Sequence, residues 1–309
     1  MKGATVHSRS AVAASASKRP PPGRSQYRGL WWFLLPGLAF YVFVVIVPSL
    51  RGVAYAFTSW DGLSATQEFI GLDNFVAIAS DERAVASIRQ TLLLTVAMTV
   101  GLTFTGLLLA LALRALVRTR NLLRVAFFAP VIVAPVMISF LWKYILSPFG
   151  ALNSLLGWMG LEPVSWLGSP DFALWSIAAV IIWQFSGYSM VIFLAGLQSI
   201  PDEVQEAALV DGAGAVKRTW YVTLPLLRPA IIINVTLVLI MGLKQFETVW
   251  IMTQGGPGNS TQTIATVMYI EAFTLNNFGY ATALAVVLSV VVMVMVGGLN
   301  GLAGRGRRI

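Results

Sequence analysis

Hydrophobic residues along this chain gather in long runs with few or no charges, each close to the roughly 20 residues a helix needs to cross a hydrocarbon layer. The runs lie at about 29–50, 90–113, 125–146, 173–197, 228–251 and 280–303. They predict an all-α membrane protein with six transmembrane helices. Pro130 and Pro135 fall inside the third run and predict kinks that a packed bundle can tolerate. The fifth run is the least clean, because Arg228 and Lys244 bracket only 15 uncharged residues. Extending it to Ile251 carries Lys244 and Glu247 to membrane depth. Two further uncharged stretches, 144–161 and 248–270, are interrupted by Pro148, Gly150, Asn153 and Gly157, and by the Gly255–Ser260 segment. They read as loops or interfacial segments. Residues 1–28, rich in Ala, Ser, Pro and Arg, cannot pack a core and read as a disordered tail. Residues 29–309 then form one transmembrane domain.

Composition narrows the class. Of 309 residues, 57% are hydrophobic and 11% charged, against roughly 25% charged in a soluble domain. A soluble enzyme is excluded on those grounds. There is no cysteine, and the single histidine is His7 in the tail, so thiolate or histidine metal sites and histidine-centred catalysis have no residues to work with.

The formal net charge of +8 follows membrane topology. With the N-terminus in the cytoplasm, 16 of the 21 basic residues fall on the inner side, among them Arg114, Arg118, Arg120, Arg124, Lys217, Arg218 and Arg228. The outer side keeps Arg51, Arg83, Arg89, Lys143 and Lys244. The positive-inside rule therefore predicts that both termini are cytoplasmic. Contact with anionic lipid absorbs the remaining basic excess, and nucleic acid is not expected as a partner.

The most informative segment is the inner loop 198–227. Connections in helical bundles usually take roughly 2–8 residues, and this one is several times longer. Asp202 after Pro201, with Gln205 three residues on, suggests an N-cap and capping box. Gly212 is a natural stop, and a second short helix is expected from about Ala215 to Val222, halted at Pro225. The product is a cytoplasmic helix–turn–helix finger. Its small Ala207 and Ala208 permit close approach of another surface. Glu206 and Asp211 supply charge, and Leu209, Val210 and Trp220 supply apolar area.

Glu206-Ala207-Ala208, then Gly212, then Val222-x-Leu224-Pro225 resembles the EAA loop of ATP-binding-cassette importer permeases, with Val222 where that motif has Ile. Phe69-Ile70-Gly71-Leu72-Asp73-Asn74-Phe75 and Thr253–Thr261 resemble stretches after the first and fifth spans of the carbohydrate-uptake (maltose/glycerol-3-phosphate) group, typical of the first of its two paired permeases. The resemblance implies a bacterial inner-membrane permease that is not itself an enzyme. It implies coupling through Glu206, Ala207, Ala208, Asp211, Gly212, Leu224 and Pro225 to two nucleotide-binding ATPase subunits, which hold the ATP and Mg. A second homologous permease and an extracytoplasmic substrate-binding protein complete the implied assembly. No Gly is followed by Lys anywhere in the chain, so it carries no phosphate-binding loop of the G-x-x-x-x-G-K type.

Polar side chains inside spans are costly and mark function. Trp183, Gln184 and Tyr188 in the fourth span, and Lys244, Gln245 and Glu247 in the fifth, are the candidate substrate-lining residues. Gln184 and Tyr188 share a helix face at i, i+4, and Lys244 and Glu247 can pair at i, i+3. Each also has a structural reading, as interhelical glue, packing or an internal ion pair. Small residues (Gly101, Gly106, Ala110; Ala281, Ala283, Ala285) offer close helix approach to another membrane subunit. An ion-coupled secondary transporter and a non-transporting scaffold are the competing functions. The first calls for titratable groups at mid-membrane, and the second leaves the long finger without a purpose.

Overall fold

The computed structural model describes residues 30–115 and 119–305, so the expected tail at 1–28 lies outside the described residues. The described residues fall into two compact units, divided between Arg51 and Gly52. The helices in order are α1 (Leu30–Tyr41), a π turn (Val42–Ile46), α2 (Val47–Tyr55), α3 (Asp73–Ser80), α4 (Glu82–Ala115), α5 (Arg120–Ile132), α6 (Pro135–Ile145), α7 (Ala151–Trp158) and α8 (Pro170–Gln198). They continue with α9 (Asp202–Val210), α10 (Ala215–Arg218), a second π turn (Thr219–Thr223), α11 (Leu224–Leu226), α12 (Arg228–Leu243), α13 (Glu247–Thr253), α14 (Ile264–Phe273) and α15 (Phe278–Arg305). Among the described residues no strand forms, only a bridge between Thr58 and Phe69.

Four helices are long and apolar enough to cross a membrane: Trp32–Tyr55, Glu82–Arg114, Pro170–Gln198 and Phe278–Gly301. The count reaches six if each of two bent pairs is one span. The first pair, α5 and α6, meets at 95°. Its break falls at Val133-Ala134, where the residue before Pro135 is forced out of the helical region. Pro130, by contrast, is carried inside α5.

Helix ends follow local chemistry where it is strong. Ser169 caps α8 by accepting from the Asp171 N–H at 3.3 Å, with Pro170 at the first position. The Asp81 carboxylate accepts from the Arg83 N–H at 2.8 Å and starts α4 eight residues before the charge-free window.

Within residues 52–309, α4 and α8 form the central pair. Gly101 faces Ile182, and a Cβ at Gly106 would lie 2.9 Å from the Ser189 backbone carbon. Gly242 of α12 sits against α4 in the same way, its Cβ position 2.9 Å from Thr95 Cα. This corrects the expectation that Gly101, Gly106 and Ala110 serve another subunit. The two glycines let α8 approach α4 within this chain, and Ala110 is fully buried. Ala281 and Ala283 are buried too, Ala283 within the cluster around Leu243, Ile264 and Leu284.

Polar hubs pin the connections. Asn153 accepts from the Val164 N–H (3.0 Å) and Trp166 Nε1 (3.1 Å) and donates to the Val164 carbonyl at 3.0 Å. Arg83 donates to Gln262 Oε1 at 2.9 Å and pairs with Glu271 at 3.2 Å, tying α4 to the loop before α14 and to α14 itself. Desolvation holds the Glu271 carboxyl above its ordinary value of 4.5, opposed by the Arg83 guanidinium and reinforced by the Asp81 charge. The contribution of Glu271 is therefore fully present below pH 4.5 and is lost as pH rises through the raised value. Arg83→Ala leaves this carboxylate buried without its counter-charge and should cost about 2 kcal/mol, less than a fully buried pair because Arg83 is partly exposed. Thermal unfolding of the assembled complex checks this. Glu271→Gln should lose less than Arg83→Ala, with the gap widest at neutral pH.

Stretches read as loops are partly helical. The two ends of 248–270 fold as α13 and α14, and 144–161 contains α7. Glycines between them mark only the turns.

Candidate functional site

The fifth apolar run does not continue as one helix. Backbone bonds from Lys244 N–H to the Ile240 carbonyl (3.3 Å) and from Gln245 N–H to the Gly242 carbonyl (3.1 Å) close α12, and α13 restarts at Glu247. The Thr263 hydroxyl takes up the Gln245 carbonyl at 3.0 Å, so a distant residue stabilises the interruption. Around it lies a cleft of about 410 Å³ lined by Pro135, Phe185, Met241, Lys244, Gln245 and Glu247, with further apolar neighbours. Phe246, which also lines it, stacks on Trp250 with ring centroids 5.8 Å apart, and Tyr269 tilts against both, 5.3 Å from Phe246 and 4.7 Å from Trp250.

This corrects the expected ion pair. Lys244 and Glu247 fall on either side of the break, both are exposed, and among the described residues the one ion pair is Arg83–Glu271. With the helix interrupted, i, i+3 spacing no longer puts them on one face.

Of the six candidate substrate-lining residues, the structure brings Lys244, Gln245 and Glu247 to the cleft. The other three are elsewhere. Gln184 is fully buried and donates to the Val133 carbonyl at 3.1 Å, the group freed by the break between α5 and α6. Trp183 is partly exposed and packs edge-on against Trp142 at 5.3 Å. Tyr188 is about one-third exposed and outside the cleft. Shared helix face therefore did not mean shared environment for Gln184 and Tyr188. Phe185 and Phe246 were missed. Their only sequence signal is an aromatic beside a polar residue, which core phenylalanines also show.

The second candidate site is the segment 198–227. Pro201, not Asp202, holds the cap position of α9, and no side chain caps it. Asp202 is the first helical residue, where its charge meets the positive end of the helix dipole. Gln205 is buried and turns instead to Thr223 Oγ1 at 3.5 Å, joining the two arms. At the other end the N–H of Ala213 reaches the Ala208 carbonyl (2.9 Å) and that of Gly212 reaches the Leu209 carbonyl (3.0 Å). This is a Schellman ending with Gly212 at φ +76°.

Pro225 does not stop the second arm. The π turn at 219–223 widens the helix ahead of the pyrrolidine ring, so the chain runs on to Leu226 and bends by 67° into α12. Leu227, Ile200 and Leu197 bury the root of both arms. Glu206, Ala207, Asp211, Gly212 and Pro225 are exposed, Leu224 is half-buried and Ala208 is buried. Leu209, Val210, Val216, Trp220 and Tyr221 are all exposed as well. That is more apolar surface than a short loop in water would carry without a partner.

Residues 102–306 match the family described as binding-protein-dependent transport system inner membrane component. The chain belongs to that family. This inner-membrane component is 35% identical over 264 residues to the multiple sugar-binding transport system permease protein MsmF of Streptococcus mutans, covering 85% of this chain and 90% of that one. It is 32% identical to the diacetylchitobiose uptake system permease protein NgcF of Streptomyces coelicolor, over 96% and 92% of the two chains. Among solved structures it superposes with a TM-score of 0.81 and 26% identity on a chain of a bacterial transporter that imports the acidic polysaccharide alginate, covering 91% of this chain and 96% of that one. A second structure of an alginate transporter, in complex with an alginate pentasaccharide-bound periplasmic protein, matches equally well at 25% identity.

Proposed function

We propose that this inner-membrane permease carries a sugar, or a related polyol or glycerophosphate, across the membrane on energy supplied by two ATPase subunits. A binding protein delivers the substrate outside, and a second, homologous permease completes the path. Sugar-transporting relatives at 32–35% identity over most of the chain support the substrate class. Both termini lie in the cytoplasm, and segment 198–227 is a helix–turn–helix finger on that side.

One observation carries the coupling role. The finger shows an exposed Glu206-Ala207 edge and an exposed apolar tip while its root is buried. It is thus held rigidly by its own chain and presents a face free to dock. ATP binding draws the ATPase subunits together, and the rigid root passes that motion to α8 and α12.

At the cleft, Gln245, Lys244 and Glu247 offer donors and acceptors to hydroxyl groups, and the rings of Phe185 and Phe246 offer platforms to the sugar's C–H face. Gln184, Trp183 and Tyr188 act as supports of the path, Gln184 by holding the break before Pro135. Gln245→Ala should raise the substrate concentration for half-maximal uptake about tenfold, the effect of losing roughly one well-made hydrogen bond. Gln184→Leu should instead lower the yield of assembled complex.

Uptake in proteoliposomes bearing each variant separates the two effects, and equal uptake constants for wild type and Gln245→Ala would remove Gln245 from the site. The mass of the intact complex tests the assembly. Two unlike permeases with two ATPases are expected, and a transport-competent particle with two copies of this chain and no second permease would overturn the pairing.

A further inference from the structure

Between Arg114 near the end of α4, Arg120 at the start of α5 and the start of the finger lies a cleft of about 390 Å³. Arg114 and Arg120 line one side, Leu194, Leu197 and Ile200 another, with Ser199 and Asp202 at the rim. Asp202 forms no ion pair with either arginine. The Nε of Arg120 is shielded from solvent without a hydrogen-bond partner among the described residues. A guanidinium nitrogen in that state calls for an anion, since leaving it unmatched is costly. The start of α5 adds to the demand. Thr119 makes no side-chain cap, so the N–H groups ahead of Leu123 still need an acceptor.

We propose that this cleft binds a phosphate group, carried by an anionic phospholipid. The phosphate sits against Arg114, Arg120 and the α5 N-terminus, above a floor closed by the buried Leu194, Leu197 and Ile200. Arg114 ends the apolar helix Glu82–Arg114, so the cleft lies where a span leaves the hydrocarbon and phospholipid head groups stand, which favours the lipid. The assignment rests on the cytoplasmic placement of this face given above. Asp202 opens the finger helix, so an occupied cleft braces the coupling element against α4 and α5.

The test uses the complete transporter in bilayer discs of phosphatidylcholine with increasing phosphatidylglycerol, with retained lipid read by mass spectrometry of the intact particle. Wild type should retain phosphatidylglycerol, and Arg114→Gln with Arg120→Gln should weaken retention roughly 30-fold. Lys217→Gln, a charge removed from the finger outside the cleft, should leave it unchanged. If the double variant fails to assemble, the two single variants serve, each expected to weaken retention roughly fivefold. Equal retention in wild type and arginine variants would overturn the site. Displacement of the lipid by millimolar inorganic phosphate would overturn the lipid as its source. Retention is read without transport, so a transporter that binds lipid but takes up no sugar would contradict the proposed function alone.

Discussion

Gly212→Leu and Glu206→Lys should each lower substrate-stimulated ATP hydrolysis in the reconstituted transporter by at least about tenfold, with membrane insertion unchanged. At φ +76°, Gly212 occupies the left-handed region, where a side chain costs roughly 1–2 kcal/mol. Nothing lies within 4 Å of its Cβ position, so the effect of leucine there is backbone strain and not a clash. The strain acts on the Schellman ending that fixes the angle between the finger's two arms. Glu206 is exposed on the outer face of α9, and reversing its charge alters the face proposed to dock without touching the buried root. Tenfold corresponds to about 1.4 kcal/mol of lost coupling, within reach of either change. ATPase rates with and without loaded binding protein measure it. Wild-type stimulation in both variants would remove the finger from the coupling path.

Gly106→Val and Gly187→Val should be the most damaging substitutions for assembly. A Cβ at Gly106 would come within 2.9 Å of the Ser189 backbone carbon and 3.0 Å of the Met190 nitrogen, and one at Gly187 would overlap the Phe127 carbonyl. Both obstacles are backbone, which cannot swing aside as a side-chain tip can. Valine then forces α4 from α8, or α8 from α5, at about 3 kcal/mol each. Gly297→Val, where no atom lies within 4 Å of the Cβ position, is the comparison and should be silent. The yield and melting temperature of the purified complex read the difference. Unchanged values for the first two would mean that α4, α8 and α5 do not pack this closely.

These positions show what sequence could and could not reveal. The all-helical character was legible because long uncharged runs have few other uses, and the spacing from Glu206 to Pro225 pointed to the family directly. The ends of α8 were readable since Ser169, Pro170 and Asp171 act through local bonds. The interruption at 244–246 was not, because Lys244-Gln245-Phe246 contains neither glycine nor proline and the break is held by Thr263, far along the chain. For the same reason Lys244 and Glu247 looked like a pair. Gly101 and Gly106 announced close packing, yet the identity of the neighbour is a tertiary fact, and the neighbour proved to be α8 of the same chain. That Gln184 is fully buried was not legible either, because a proline-induced break frees a carbonyl 51 residues away that it alone reaches among the described side chains.

Uptake of labelled sugar into proteoliposomes tests the central claim most directly. The vesicles would hold this chain, its partner permease and the two ATPase subunits, with ATP enclosed and loaded binding protein outside in the orientation that places residues 198–227 in the lumen. The account predicts accumulation that requires ATP and binding protein together and persists when ion gradients are collapsed. Accumulation driven by an imposed proton or sodium gradient with no ATP present would contradict it.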